Sequence, residues 1–234
     1  MTAPGIKFFS TTAHACSYLP GKQAVTLFAD PKSTMSRRLY TELSDLGFRR
    51  SGNYVYRPHC GSCQACVAIR IPVDRFRPNR QQLRVWKKNQ DLDVHLTDAT
   101  FREEHYALYE RYITERHQDG DMYPPSVEQY ASFLTSDWSE TRFIEFRLDG
   151  RLLAVAVCDE LESGLSAVYT FYDTAFEKRS LGTFAILWQL EETRNRHLPS
   201  LYLGYWIREC QKMNYKIAFR PIELLINGEW LVAR

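Results

Sequence analysis

The chain has 234 residues, 44% hydrophobic, with 30 Lys and Arg against 28 Asp and Glu and a net charge of +2, so overall charge balance selects no partner. That length and apolar content allow a substantial core, as one large domain or two small ones. No stretch reaches the roughly 20 apolar residues of a membrane-spanning helix, and "MTAPGIKFFSTTAHAC" lacks the basic-then-apolar order of an export signal. A cytoplasmic protein with no membrane partner is expected, its six cysteines reduced rather than joined in a disulfide framework.

In chain order, Met35, Leu39, Leu43 and Leu46 recur at helical spacing, and Gly47 stands where a C-terminal cap belongs. Residues 48–57 read as two short extended pieces around the turn Ser51-Gly52-Asn53. The segment "RPHCGSCQAC" (57–66) follows, then "VAIRIPV" (67–73), which alternates like a strand. Residues 75–90 hold six Lys/Arg and no acid, and a boundary at their end divides 1–90 from 91–234. A helix is expected over 100–117, with Thr100 and Glu103 as a capping box and Phe101, Leu108 and Tyr112 on one face. Another starts near Ser126, with Gln129 completing a second box.

From 142 the period changes to two. "RFIEFRL", Asp149-Gly150 and "RLLAVAVCDE" form a β-hairpin signal, and "LSAVYTFYD" (165–173) extends it to a meander. A helix follows with Leu181, Phe184, Ala185 and Trp188 on one face, stopped by basic residues and Pro199. "LYLGYWI" (201–207) is a further strand. Three strands, a helix and a strand give an α/β (α+β) order, the core order of GNAT-type acyltransferases.

Four groups of residues carry possible chemistry. Cys60, Cys63 and Cys66 have C-x2-C-x2-C spacing, which suits one Zn2+ or an iron–sulfur cluster, with Cys16 or His59 as a fourth ligand; the plain alternative is a set of reduced thiols. Cys158 and Cys210 read as packing residues. Arg75, Arg77, Arg80, Arg84, Lys87 and Lys88 interleave with Phe76 and Trp86, a pattern for phosphates and stacked bases, against the alternative of a solvated face. "EKRSLGTF" (177–184) resembles the turn on which acyl-CoA enzymes hold a pyrophosphate, but Phe184 takes the last small position and would crowd that contact. Tyr169, Tyr172, Asp173, Tyr205, Trp206 and "KMNYK" (212–216) gather at strand ends, where open α/β sheets bind ligands.

Together, "CSYLPGKQAVTLFADP" (16–31), "YRPHCGSCQAC" (56–66), "FRPNRQQLRVWKKNQDL" (76–92), "VYTFYD" (168–173), "SLGTFAI" (180–186), "LYLGYWIRECQKMNYK" (201–216) and "FRPIELL" (219–225) resemble the aminoacyl-tRNA–protein transferase family, in its bacterial leucyl branch. The resemblance implies a small cysteine-containing N-terminal domain and a GNAT-like C-terminal catalytic domain. It implies transfer of leucine from Leu-tRNA to the N-terminal amine of proteins that begin with Asp or Glu, which marks them for degradation. No cofactor is needed for the transfer. Eukaryotic relatives carry a C-x2-C pair that can hold a cluster; here it has become Cys16-Ser-Tyr-Leu19, so Cys16, Cys60, Cys63 and Cys66 would have to supply an iron–sulfur or zinc site.

On this reading the ester donor is already activated and the acceptor amine has a pKa of about 8. Positioning and oxyanion stabilisation then carry most of the rate. Tyr169, Asp173 or Tyr205 would orient the amine or relay its proton. Arg208, Lys212 or Lys216 would meet the acidic side chain or the tRNA's terminal phosphates, and Arg75, Arg77, Arg80, Arg84, Lys87 and Lys88 the tRNA backbone. An acetyl-CoA acetyltransferase and a metal-stabilised RNA-binding module are the alternatives.

Overall fold

A computed structural model describes residues 5–233. Its first part contains β1 (Phe8–Ser10), β2 (His14–Ala15), β3 (Gln23–Ala24), β4 (Thr26–Ala29), α1 (Arg37–Asp45), β5 (Arg49–Ser51) and β6 (Tyr54–Pro58). β1, β4, β6 and β5 form one antiparallel sheet, and β2 pairs β3 separately. The Ser36 hydroxyl accepts from Leu39 N at 3.1 Å to cap α1. Gly47 ends the helix at φ +83°, as its sequence position requires. Tyr40 and Leu43 are buried, whereas Leu46 lies beyond the helix and faces solvent.

The rest comprises β7 (Val67–Pro72), α2 (Arg80–Lys88), β8 (Asp93–Asp98), α3 (Glu103–Arg116), α4 (Val127–Leu134), β9 (Thr141–Leu148), β10 (Arg151–Glu160), β11 (Gly164–Tyr172), α5 (Leu181–Asn195), β12 (Ser200–Trp206), β13 (Ile222–Ile226) and β14 (Glu229–Ala233). Eight strands make one sheet in the order β14-β13-β7-β12-β11-β10-β9-β8. The hairpin turns on Asp149 and Gly150, both at positive φ, which suits the twist of paired strands. Helix α3 starts at Glu103 rather than Thr100, with Arg102 as an N-cap that makes no side-chain bond. Ion pairs override the capping template there: Arg102 reaches Glu145 and Glu104 reaches Arg147. Ser126 does cap α4, but the Gln129 side chain turns to Asp121 O instead of closing a box. The reciprocal box sits on α2, between Asn79 and Gln82.

α5 and α2 cover one face of the large sheet, where Leu181, Phe184 and Ala185 pack on Ile69, Ile71, Ala154 and Leu201. α3 and α4 cover the other, with Leu108, Tyr112 and Tyr130 on Val155, Val157 and Phe171. β7 comes from before residue 90 yet runs between β12 and β13, so segments on both sides of that boundary share one sheet and one core. No helix among the described residues is long and apolar enough to cross a membrane.

A buried ion pair welds the two sheets. Arg50 on β5 and Asp159 on β10 have fully buried side chains. Arg50 Nε and Nη2 donate to the two Asp159 oxygens at 2.7 and 2.8 Å. Its remaining N–H groups donate to Gly52 O, Thr135 O and Leu134 O. Asp159 also accepts from the Tyr40 and Thr141 hydroxyls. Such a pair is stable only because every donor and acceptor is satisfied. Arg50→Met is expected to destabilise the fold by about 3–5 kcal/mol, read from the urea midpoint at unchanged slope. A loss under about 1 kcal/mol would show that the pair does not hold the sheets together.

Candidate active site

β11 and β12 are the one parallel pair in the large sheet, and they part almost as soon as they meet. Their ladder covers only Gly164–Ser166 against Ser200–Tyr202. Beyond it β11 stays with β10, and β12 stays with β7 through Tyr205↔Ala68 and Trp206↔Val67. The divergence leaves a wedge between the two strands, where Val168 O and Tyr205 O accept from side chains.

Arg49 enters this wedge from β5. Its Nη2 donates to Val168 O on β11 at 3.1 Å, and its guanidinium lies 5.8 Å from the Tyr205 ring on β12. Gly204 makes room for it: a Cβ there, at φ +72°, would stand 2.6 Å from Arg49 Cζ. Sequence reasoning missed Arg49. The isolated glycine inside "LYLGYW" was the visible signal of a close approach, but nothing local named its partner.

Lys216 is 7% exposed, and its Nζ donates to Tyr205 O at 2.6 Å. Burial, and then the nearby Arg49 charge, lowers its pKa to about 7. Tyr205 is buried, with its hydroxyl donating to Gly47 O at 2.7 Å, so it ties β12 to the turn after α1. The Tyr169 hydroxyl is buried without a hydrogen-bond partner among the described residues, and its ring packs by the Tyr109, Tyr112 and Phe133 rings. Burial holds its pKa well above the usual phenol value. Tyr172 packs on Tyr112 at 4.8 Å between centroids. Asp173 is committed elsewhere: one oxygen caps Ala175 N, and the other takes Arg151 at 2.6 Å. Lys212 is paired with exposed Asp119, and Arg208 is exposed beside the Trp206 ring. The structure thus brings Tyr205 and Lys216 to the wedge with Arg49 and sets Tyr169 on the diverging part of β11 with its ring against α3 and α4, while Asp173, Lys212 and Arg208 have other engagements.

The basic stretch becomes α2 and the turn before it. Arg75, Arg77, Arg80, Arg84, Lys87 and Lys88 are all exposed, and none pairs with a carboxylate among the described residues. Phe76 is buried against Phe219, and Trp86 packs on Phe184. The aromatics therefore do not interleave on the surface; the face offers charge without stacking platforms. Phe184 points into the core and does not crowd the start of α5, as its position in the sequence suggested. Instead, α2's end holds the turn before α5: Arg179 pairs with Asp91, and Lys88 Nζ and Asn89 Nδ2 donate to Lys178 O and Arg179 O.

The cysteine loop borders the same region. Burial, then Tyr56, raises the pKa of Tyr18, against the opposing effect of nearby Arg49. Burial, then the charges of Cys16, Cys60 and Cys63, pushes the Cys66 thiol up to about 12. Cys60 Sγ accepts from Val25 N at 3.4 Å. Cys16, Cys60, Cys63 and Cys66 are neighbours, but no three His, Cys, Asp or Glu side chains among the described residues converge as a metal-holding group. The expected iron–sulfur or zinc site thus has no support from a converging ligand group among the described residues.

The family description "Arginine-tRNA-protein transferase, N terminus" matches residues 14–84, and "Arginine-tRNA-protein transferase, C terminus" matches 104–226. The chain is 59% identical over 227 residues to the aspartate/glutamate leucyltransferase of a Pseudomonas fluorescens strain, spanning 97% of each chain. It is 56% identical over 224 residues to that of Hahella chejuensis, spanning 96% of each. In fold it is similar to the C-terminal domain assigned to a lysylphosphatidylglycerol synthetase from Agrobacterium fabrum, at TM-score 0.50 and 11% identity, covering 81% of this chain and 61% of that one. With both family halves matched in order along a splayed acyltransferase-like sheet, the chain belongs to the arginine-tRNA–protein transferase family, aminoacyltransferases whose substrates are a charged tRNA and a protein.

Proposed function

We propose that this chain transfers leucine from Leu-tRNA to the N-terminal amine of proteins beginning with Asp or Glu, in the cytoplasm, marking them for degradation. The 59% identity over 97% of both chains to an enzyme named aspartate/glutamate leucyltransferase carries the reading. An acetyl-CoA reaction is disfavoured, because α2 covers the turn where a pyrophosphate would sit.

In the reaction the neutral α-amine attacks the ester carbonyl of Leu-tRNA. The C–N bond forms, the ester C–O bond breaks, and the departing ribose oxygen takes a proton. Lys216 accepts the proton that the amine gives up, since a lysine near pKa 7 is largely neutral just above that pH. The Tyr169 hydroxyl, protonated and without a partner, donates to the developing oxyanion. Tyr205 positions β12, and Asp173 serves as a helical cap. The exposed cations of α2 hold the tRNA backbone. No step calls on a metal.

Three measurements follow. Labelled leucine should move from Leu-tRNA to a peptide starting with Asp or Glu; charged tRNA without transfer overturns the reading. In Lys216→Met, transfer at pH 7 should fall about tenfold or more. Its pH profile should keep only the rising limb of the substrate amine, near pH 8, and an unchanged rate and profile would remove Lys216 from the proton path. Replacing Arg80, Arg84 and Lys87 by Gln should weaken tRNA binding and reduce the slope of log K against log salt by about 2–3. An unchanged slope would move the tRNA footprint off α2.

A further inference from the structure

The wedge between β11 and β12 holds a cation with no anion. Arg49 is half-buried, and its one hydrogen bond among the described residues goes from Nη2 to Val168 O. Around it stand Tyr18, Tyr40, Tyr56 and Tyr205, with Lys216 close by, and no carboxylate among the described residues pairs with it. Most other half-buried arginines differ; Arg57, the exception, donates Nη1 to Leu46 O and lies over the Phe48 ring. Arg70 pairs with Asp45 and Glu223, Arg147 with Glu104 and Glu145, and Arg196 with Glu160 and Glu192. A half-buried guanidinium with most of its donors unpaired gains when an anion arrives to meet it.

We infer that Arg49 receives the side-chain carboxylate of the acceptor's N-terminal Asp or Glu and so sets the acidic specificity of the transfer. This rests on the leucyl transfer proposed above. The other basic residues near the wedge are poorer readers. Lys216 is held largely neutral at working pH, Lys212 already has Asp119, and Arg208 is exposed beside Trp206. Arg49 is charged at any working pH, and Nε, Nη1 and the second Nη2 hydrogen have no partner among the described residues, so the fork that Nη2 shares with Nε or with Nη1 on the side away from Val168 O remains to grip a carboxylate with two parallel bonds. Its place also suits the order of events. The guanidinium is anchored to β11 and backed by Gly204 on β12, so an acid seated on it brings the adjoining α-amine to the wedge, within the region of Lys216. The same cation could meet a different anion, a phosphate of the tRNA end or the oxyanion, and the experiment separates these.

The test compares two peptides that differ only in their first residue, Asp or Asn, at saturating Leu-tRNA. Wild type should favour Asp strongly. In Arg49→Gln, kcat/KM for the Asp peptide should fall about 100-fold, while the Asn peptide changes little, so the Asp-to-Asn ratio collapses toward one and KM for Leu-tRNA stays constant. Arg49→Lys should keep a reduced preference for Asp, because the charge remains but the fork is gone. Two outcomes overturn the inference: both peptides falling equally with the ratio intact, or a rise confined to KM for Leu-tRNA. If Arg49→Gln does not fold, the Asp-to-Asn ratio of Arg49→Lys decides. If wild type moves no leucine to either peptide, the transfer reading fails. Arg49 is then tested by peptide binding alone, where wild type should prefer Asp and Arg49→Gln should not; equal preference in both overturns the inference.

Discussion

Everything at the candidate site depends on the bond between Arg50 and Asp159. It is a register device as much as a source of stability. Side chains alternate along a strand, so a β5 that buries Arg50 against β10 must present Arg49 to the opposite side. That side is the opening between β11 and β12. A slip of one residue would exchange the two arginines, placing an unsatisfied cation in the core and a blank wall in the wedge. Five hydrogen bonds from Arg50, two of them to the same carboxylate, make that slip costly.

Aromatic side chains are dense beside the wedge: Tyr112 of α3 packs on Tyr169 and Tyr172 of β11. Burial disfavours a charged Lys216. Its pKa is lower folded than unfolded, so between about pH 7 and the ordinary lysine range the unfolded chain binds more protons. The associated destabilisation is full below about pH 7 and fades as the pH rises toward the unfolded value. On the proposed mechanism, a neutral lysine beside a permanent arginine would divide the labour between a group that moves a proton and a group that holds a charge.

Much of the large sheet was legible because its signals are local. The Asp149-Gly150 turn, the Ser126 cap, the Gly47 stop and the α5 face with Phe184 all lie within a few residues of what they control. Thr100 and Glu103 had the letters of a cap and lost to ion pairs with β9, which no local pattern contains. Phe76 and Trp86 were read as surface aromatics because they sit among cations; the turn and helix that form there point them inward. In the site, Tyr169, Tyr205 and Lys216 were visible as polar residues at strand ends. Arg49 was not, since two adjacent arginines give no hint of which is clamped and which is left open.

The middle position of β7 governs how the molecule is made. Ile69 and Ile71 belong to the buried core, yet β7's two neighbours, β12 and β13, are among the last strands to leave the ribosome. The strand is translated early and waits, apolar, with both hydrogen-bonding edges open. The sheet therefore closes at its centre rather than at an edge, after the outer hairpins can already have formed. Fragments cut near residue 90 would face the same obstacle. Reassembly would require one strand to thread between two strands of the other fragment, and any cut between β7 and β12 leaves that obstacle in place, whereas a cut between β12 and β13 leaves only an edge of β7 to be covered.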